Sequence, residues 1–103
     1  MVQILTPHPG DEIKRLLKIL NVTQGKFAHD IEESPVLVDR LIKRKTALSP
    51  GLAIKIAKAL STTPEALLEM QARHDISRAR RHETAENVPV YPLPDMMNLD
   101  RSD

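Results

Sequence analysis

Cysteine is absent from the 103 residues, which excludes disulfides and thiolate metal sites and fits a reducing compartment. Glycine is scarce, and no glycine-rich phosphate loop can be assembled from the three that occur. There is no apolar run of about 18 residues to cross a bilayer, and the amino terminus has no signal-peptide pattern. A soluble, cytoplasmic chain with no membrane partner is expected. Four histidines, His8, His29, His74 and His82, lack both cysteine partners and the i, i+4 spacing of a metal-binding pair. His8 stands where it would cap a helix, His29 where it would face water, and His74 where it would pack or pair with a carboxylate. No Ser-His-Asp grouping is available either. The chain is not expected to be an enzyme, or to bind a metal or a cofactor.

Acidic residues are missing from Leu41 through Pro64, a stretch that holds Lys43, Arg44, Lys45, Lys55 and Lys58. The net charge of +1 therefore hides an uneven distribution. Residues 1–81 carry 14 Lys and Arg against 9 Asp and Glu, a balance of +5, and residues 82–103 carry 1 against 5, a balance of −4. A chain of this length can bury one modest core without metal or disulfide support. The organisation read from it is one domain over residues 1–81 and an acidic, proline-containing tail over residues 82–103.

Helical spacing recurs through the first part. Pro9 suits the first position of a helix, Asp11 and Glu12 suit its positive end, and Ile13, Leu16, Leu17 and Leu20 repeat at i, i+3, i+4, i+7. Asn21-Val22-Thr23 interrupts that helix, with Thr23 capping the next. Ser34-Pro35 and Ser49-Pro50 each set a cap before a proline, and Ala53, Ile56, Ala57 and Leu60 give the helix after Ser49 one apolar stripe. Thr63-Pro64-Glu65 opens a fifth helix that runs to about Arg81, with Leu68, Ala72, Ile76 and Ala79 along one side. That side either packs on the first helix or pairs with a second copy of the chain.

Between Gln24 and Lys45 lie two short helices joined by a tight turn. Helices crossing at about 90–120° need small or apolar residues only where their axes approach. Here those residues are Phe27, Ala28, Ile31, Val38 and Leu41. The second helix spans about Pro35 to Arg44 and exits through Lys43-Arg44-Lys45. A plain α-hairpin inside a bundle is the competing reading. A merely solvated face would mix both signs of charge, whereas this exit is basic, as passing phosphates require. A helix-turn-helix that reads double-stranded DNA is expected.

On that reading Thr23, Gln24, Lys26, Ser34, Lys43, Arg44 and Lys45 contact phosphates, with Thr23, Gln24 and Ser34 also serving as caps. Base edges fall to four residues. Val36 or Leu37 meets a thymine methyl, Arg40 bonds guanine O6 and N7, and Asp39 accepts from cytosine N4. Plainer roles stay open: Asp39 pairing with Lys43 at i+4, and Arg40 clamping a phosphate. With Val36-Leu37-Val38 in succession, specificity rests partly on DNA shape and half-site spacing.

His8-Pro9-Gly10-Asp11, the Gln24 to Lys45 stretch, and Pro64-Glu65 followed by Leu68, Gln71 and Asp75 together resemble the HigA (VapI-like) antitoxin branch of the lambda-repressor-like (XRE) helix-turn-helix proteins. The resemblance covers about residues 7–81. It implies an all-α, five-helix lambda-repressor-like domain that dimerises through its C-terminal helix, binds its own operator DNA and represses its operon. It also implies neutralisation of a HigB-like toxin of the RelE class, a ribosome-dependent mRNA endonuclease. A stand-alone helix-turn-helix repressor without a toxin is the alternative, and a protein-binding helical adaptor a third. Several positions depart from the family pattern. Glu32 and Arg44 stand where glycine is common, so the turn at Glu32 is expected to take a different path. Glu33 replaces an apolar residue, and Leu67 and His74 replace aromatics on the last helix, which would loosen or reshape its packing.

Beyond Arg81, Pro89, Pro92 and Pro94 forbid a continuous helix, while Val88, Val90 and Tyr91 favour extended backbone. The tail is read as an extended segment or as disordered. Its open roles are a solubilising end, an anionic mimic folded on the basic body, and a strand added to a partner's sheet edge through Val90, Tyr91 and Leu93.

Overall fold

A computed structural model describes residues 7–82 and 85–94. Five helices follow in order: α1 (Pro9–Leu20), α2 (Gln24–Asp30), α3 (Pro35–Ile42), α4 (Pro50–Leu60) and α5 (Pro64–Ala79). Single turns of 3₁₀ helix occur at Arg80–His82 and Ala85–Asn87, and no strand is found among the described residues. The protein is all-α, with α2 and α3 forming the helix-turn-helix. Four of the tail's five acidic residues, Glu83, Asp95, Asp100 and Asp103, lie outside the described residues.

Side chains in the sequence start every helix. His8, Ser34, Ser49 and Thr63 each cap a helix whose first residue is proline, and Thr23 caps α2. Ser34 Oγ accepts from the N–H of Val36 at 3.1 Å and of Leu37 at 3.3 Å. At α1 the pairing is reciprocal: His8 Nδ1 accepts from Gly10 N–H at 2.9 Å, and Asp11 Oδ2 accepts from His8 N–H at 3.0 Å. Caps of this kind each stabilise by about 1 kcal/mol.

Helix ends are tied off without glycine. Asn21, Glu32, Arg44 and Ser61 hold φ between 58° and 62°. Glu32 N–H donates to the His29 carbonyl at 3.1 Å and Glu33 N–H to the Ala28 carbonyl at 2.9 Å. Arg44 and Lys45 repeat the arrangement on Leu41 and Arg40, at 3.1 and 2.7 Å. The expected change of path at Glu32 does not occur: the left-handed turn is retained because it satisfies two carbonyls at the helix end. Each such non-glycine residue costs about 1 kcal/mol. Because Arg44 takes the left-handed conformation, α3 stops at Ile42, short of the expected Arg44.

The core is one cluster drawn from all five helices and from Leu48 in the α3–α4 connection. All five positions expected beneath the helix-turn-helix, Phe27, Ala28, Ile31, Val38 and Leu41, are in it. Of the four stripe residues on α1 only Ile13 and Leu17 are buried, and Leu20 is 54% exposed, so the stripe is narrower than its spacing suggested. Gly10 marks the crossing of α1 and α3, where a Cβ would sit on the Leu41 carbonyl oxygen and 3.0 Å from Ile42 Cα.

α5 packs on α4 and α1 through Leu67, Gln71 and His74. Gln71 Oε1 accepts from the buried Leu48 N–H at 3.0 Å while its Nε2 donates to Asp75 Oδ1 at 2.9 Å. His74 meets His8 edge-on, ring centres 4.9 Å apart. Leu67 and His74 are both buried, so the packing of α5 is not open at either position. Ala72, Ile76 and Ala79 point outward, with Leu68 half-buried. The longest helix has 16 residues, and no described helix is long and apolar enough to cross a membrane.

Candidate nucleic-acid interface

α3 turns Val38, Leu41 and Ile42 into the core, which fixes what it shows to solvent. Val36, Arg40 and Lys43, spaced i, i+4, i+7, share the outer face, and all three are exposed. Val36 is 65% exposed at the second position of the helix. Leu37 is half-buried against the core and contributes more to packing than to the outer face. Ser34 leaves the N-terminus of α3, its positive end, at the surface.

Asp39 ties the two helices together. Its Oδ2 accepts from Lys43 Nζ at 3.0 Å, and Oδ1 accepts from Gln24 Nε2 at 3.4 Å across the turn. The hydrogen bond from Lys43, then that from Gln24, holds its carboxyl below the ordinary range, so it is ionised at neutral pH. Of the two roles considered for Asp39, the i+4 pairing is the one formed in the free protein. Thr23 Oγ1 accepts from Lys26 N–H at 3.1 Å, and Lys26 Nζ reaches Asp30 at 2.9 Å on the exposed side of α2. Exposed pairs of this kind are weak, so the lysine can exchange its partner for a phosphate.

Arg44 has a partner within the chain that its position in the sequence did not show. Its guanidinium bonds Asp11 at the start of α1, Nε to Oδ1 at 3.0 Å and Nη2 to Oδ2 at 2.7 Å. Burial pushes the Asp11 carboxyl up, but the hydrogen bonds from Arg44 and from the His8 N–H outweigh it and hold the group below its ordinary value. Arg44 thus fastens the exit of α3 to α1. Arg40 and Lys45 remain exposed and make no ion pair among the described residues.

Two relationships were invisible in the sequence. Glu33 Oε2 accepts from Lys55 Nζ at 2.8 Å, pinning the turn to α4 and using one cation of the basic stretch internally. His8 and His74, 66 positions apart, meet in the interior. Burial, then His74, lowers the His8 pKa, while Asp11 raises it, Arg44 lowers it and Asp75 raises it. With Nδ1 accepting from Gly10, His8 is neutral with its proton on Nε2.

A tight helix-turn-helix whose second helix presents an exposed N-terminus and a basic exit defines a DNA-binding helix-turn-helix protein. Residues 13–67 match the HTH_3 helix-turn-helix family, and the chain belongs to it. It is similar to the uncharacterized HTH-type transcriptional regulator YddM of Escherichia coli (strain K12), 35% identical over 75 residues that cover 73% of this chain and 80% of YddM. Among solved structures, a putative antidote protein of a plasmid maintenance system from Nostoc punctiforme aligns with a TM-score of 0.74 at 25% identity, over 77% of this chain and 87% of that one. Pseudomonas aeruginosa antitoxin HigA, solved with the higBA promoter, aligns with a TM-score of 0.75 over 86% of this chain and 99% of its own. At 16% identity that likeness is one of fold.

Proposed function

We propose that this protein is the antitoxin of a type II toxin–antitoxin module, a homodimer that binds operator DNA, represses its own operon and neutralises a RelE-like, HigB-type mRNA endonuclease. The observation that carries the DNA half is the outer face of α3, where Val36, Arg40 and Lys43 lead into Lys45. Set in a major groove, this face puts Val36 beside thymine methyls and Arg40 within reach of guanine or a phosphate. Thr23, Gln24 and Lys26 at the start of α2, Ser34 with the α3 amides, and Lys43 and Lys45 at the exit line the backbone on either side. Arg44 is left to Asp11.

The outward Ala72, Ile76 and Ala79 of α5, with the half-buried Leu68 at their edge, supply the face for a second copy, which would place two α3 helices on successive turns of the duplex, about 34 Å apart. The antitoxin half draws support from the antidote and antitoxin proteins that share the fold. YddM, described as a transcriptional regulator, favours the second reading, a repressor without a toxin.

Growth of cells expressing the adjacent small reading frame, with and without this protein, separates the two. Relief of toxicity through a complex that co-purifies supports the antitoxin. A harmless neighbour, or toxicity that persists, leaves the repressor.

A further inference from the structure

Just after the 3₁₀ turn at Ala85–Asn87, four large side chains stand in water within six residues: Val88 at 62% exposure, Val90 at 86%, Tyr91 at 81% and Leu93 at 77%. Single exposed apolar residues are ordinary on a protein surface, but a contiguous group is not. The backbone beneath them is restricted in advance. Pro89, Pro92 and Pro94 fix their own φ, and each holds the residue before it, Val88, Tyr91 or Leu93, in extended conformations. Only Val90 keeps ordinary freedom, so docking this segment costs little conformational entropy.

The prolines also decide which edge can pair. In an extended strand the N–H and C=O groups of successive residues point to opposite edges. One edge here carries the donors of Tyr91 and Leu93 with the Pro89 carbonyl beside them. Along the other, the Val88 N–H already donates to the Ala85 carbonyl at 2.9 Å, Val90 follows, and Pro92 and Pro94 have no N–H. The segment offers one pairing edge and ends a sheet at the other. Tyr91 and Leu93 share one face, Val88 and Val90 the opposite one.

Charge narrows the partner. Residues 82–103 carry 1 basic and 5 acidic side chains, which suits a basic surface, and a protein that grips RNA must have one. We infer that residues 88–94 add as a strand to an exposed sheet edge of a basic, RNA-cleaving toxin, an inference that rests on the antitoxin reading above.

The test uses the full-length chain and the purified product of the adjacent reading frame. Replacing Val90, Tyr91 and Leu93 by serine keeps the charge and the prolines, touches no core residue, and is expected to weaken that complex about a hundredfold with operator binding unchanged. In the wild-type complex, hydrogen exchange at the Tyr91 and Leu93 amides slows while Val90 still exchanges. If the triple variant holds the neighbour's product as tightly as wild type does, the strand is wrong and the antitoxin reading stands. If the wild-type chain does not bind that product at all, both fall together. Tighter DNA binding by the triple variant, without the product present, would place the segment on the chain's own basic surface and overturn the inference.

Discussion

The Arg44 guanidinium closes on the Asp11 carboxylate through two hydrogen bonds, 3.0 Å from Nε and 2.7 Å from Nη2, and so joins the end of α3 to the start of α1. Both side chains stay partly exposed, at 45% and 35%, so the pair is a modest stabiliser despite its geometry. Arg44→Ala is expected to lose about 1 kcal/mol. Arg44→Gly should lie nearer wild type, because relief of the left-handed φ of 62° offsets the lost pair. Glu32 holds φ 58° with its side chain exposed, and Glu32→Gly is expected to gain about 1 kcal/mol. Urea midpoints at unchanged slope measure all three.

Gly10 packs its backbone on the Leu41 carbonyl. Gly10→Ala forces α1 away from α3 and is expected to cost about 1–3 kcal/mol. Gly25 and Gly51 have nothing within 4 Å of the Cβ position, so alanine at either should stabilise by about 0.5–1 kcal/mol. Denaturant unfolding of the three single variants checks the contrast, and equal effects would mean that α1 and α3 are not in contact at Gly10.

Acid weakens the fold in two steps. His8, faced by His74, Asp11, Arg44 and Asp75, takes a proton less readily in the folded chain than its ordinary value of 6.5. The unfolded chain therefore binds that proton first, and stability falls as pH drops through 6.5. The Asp11 carboxyl is held below its ordinary 3.8, so its contribution is present above that pH and fades as pH falls past it. His8→Asn retains a capping side chain without the titration. Unfolding midpoints across pH should lose the upper step in that variant and keep the lower one.

Caps explain why so much of the fold was legible. Ser34-Pro35, Ser49-Pro50 and Thr63-Pro64 mark helix starts in adjacent residues, and each helix begins where its pair says. The five apolar positions beneath the helix-turn-helix were also readable, because two crossing helices leave few alternatives. Contacts between residues far apart in sequence were not. Hydrophobic spacing singled out Leu68, Ala72, Ile76 and Ala79 on α5, yet Leu67, Gln71 and His74 enter the core, since a glutamine that satisfies the buried Leu48 N–H is worth more there than a methyl group. The Arg44–Asp11 pair was hidden for the same reason: the two residues are 33 positions apart.

Ile76 is 51% exposed and contributes nothing to the monomer's core. Ile76→Asp is expected to leave the unfolding midpoint of the isolated subunit nearly unchanged and to weaken self-association by about tenfold or more. Sedimentation across a concentration series measures it. Unaltered association would rule out α5 as the proposed dimer contact.

Most directly, the account stands on DNA passing along the exit of α3. The Lys43 and Lys45 side chains cap no helix: Lys43 ends α3 through its backbone, which alanine keeps, and its side chain gives up only an exposed pair with Asp39, so their removal bears on binding more than on folding. The measurement is affinity for the DNA upstream of the protein's own coding sequence across a salt series, for wild type and for the chain carrying Lys43→Ala with Lys45→Ala. The account predicts strongly salt-dependent binding by wild type, and a double variant whose log–log salt slope is shallower by about 2. A double variant with the wild-type affinity and slope would contradict it.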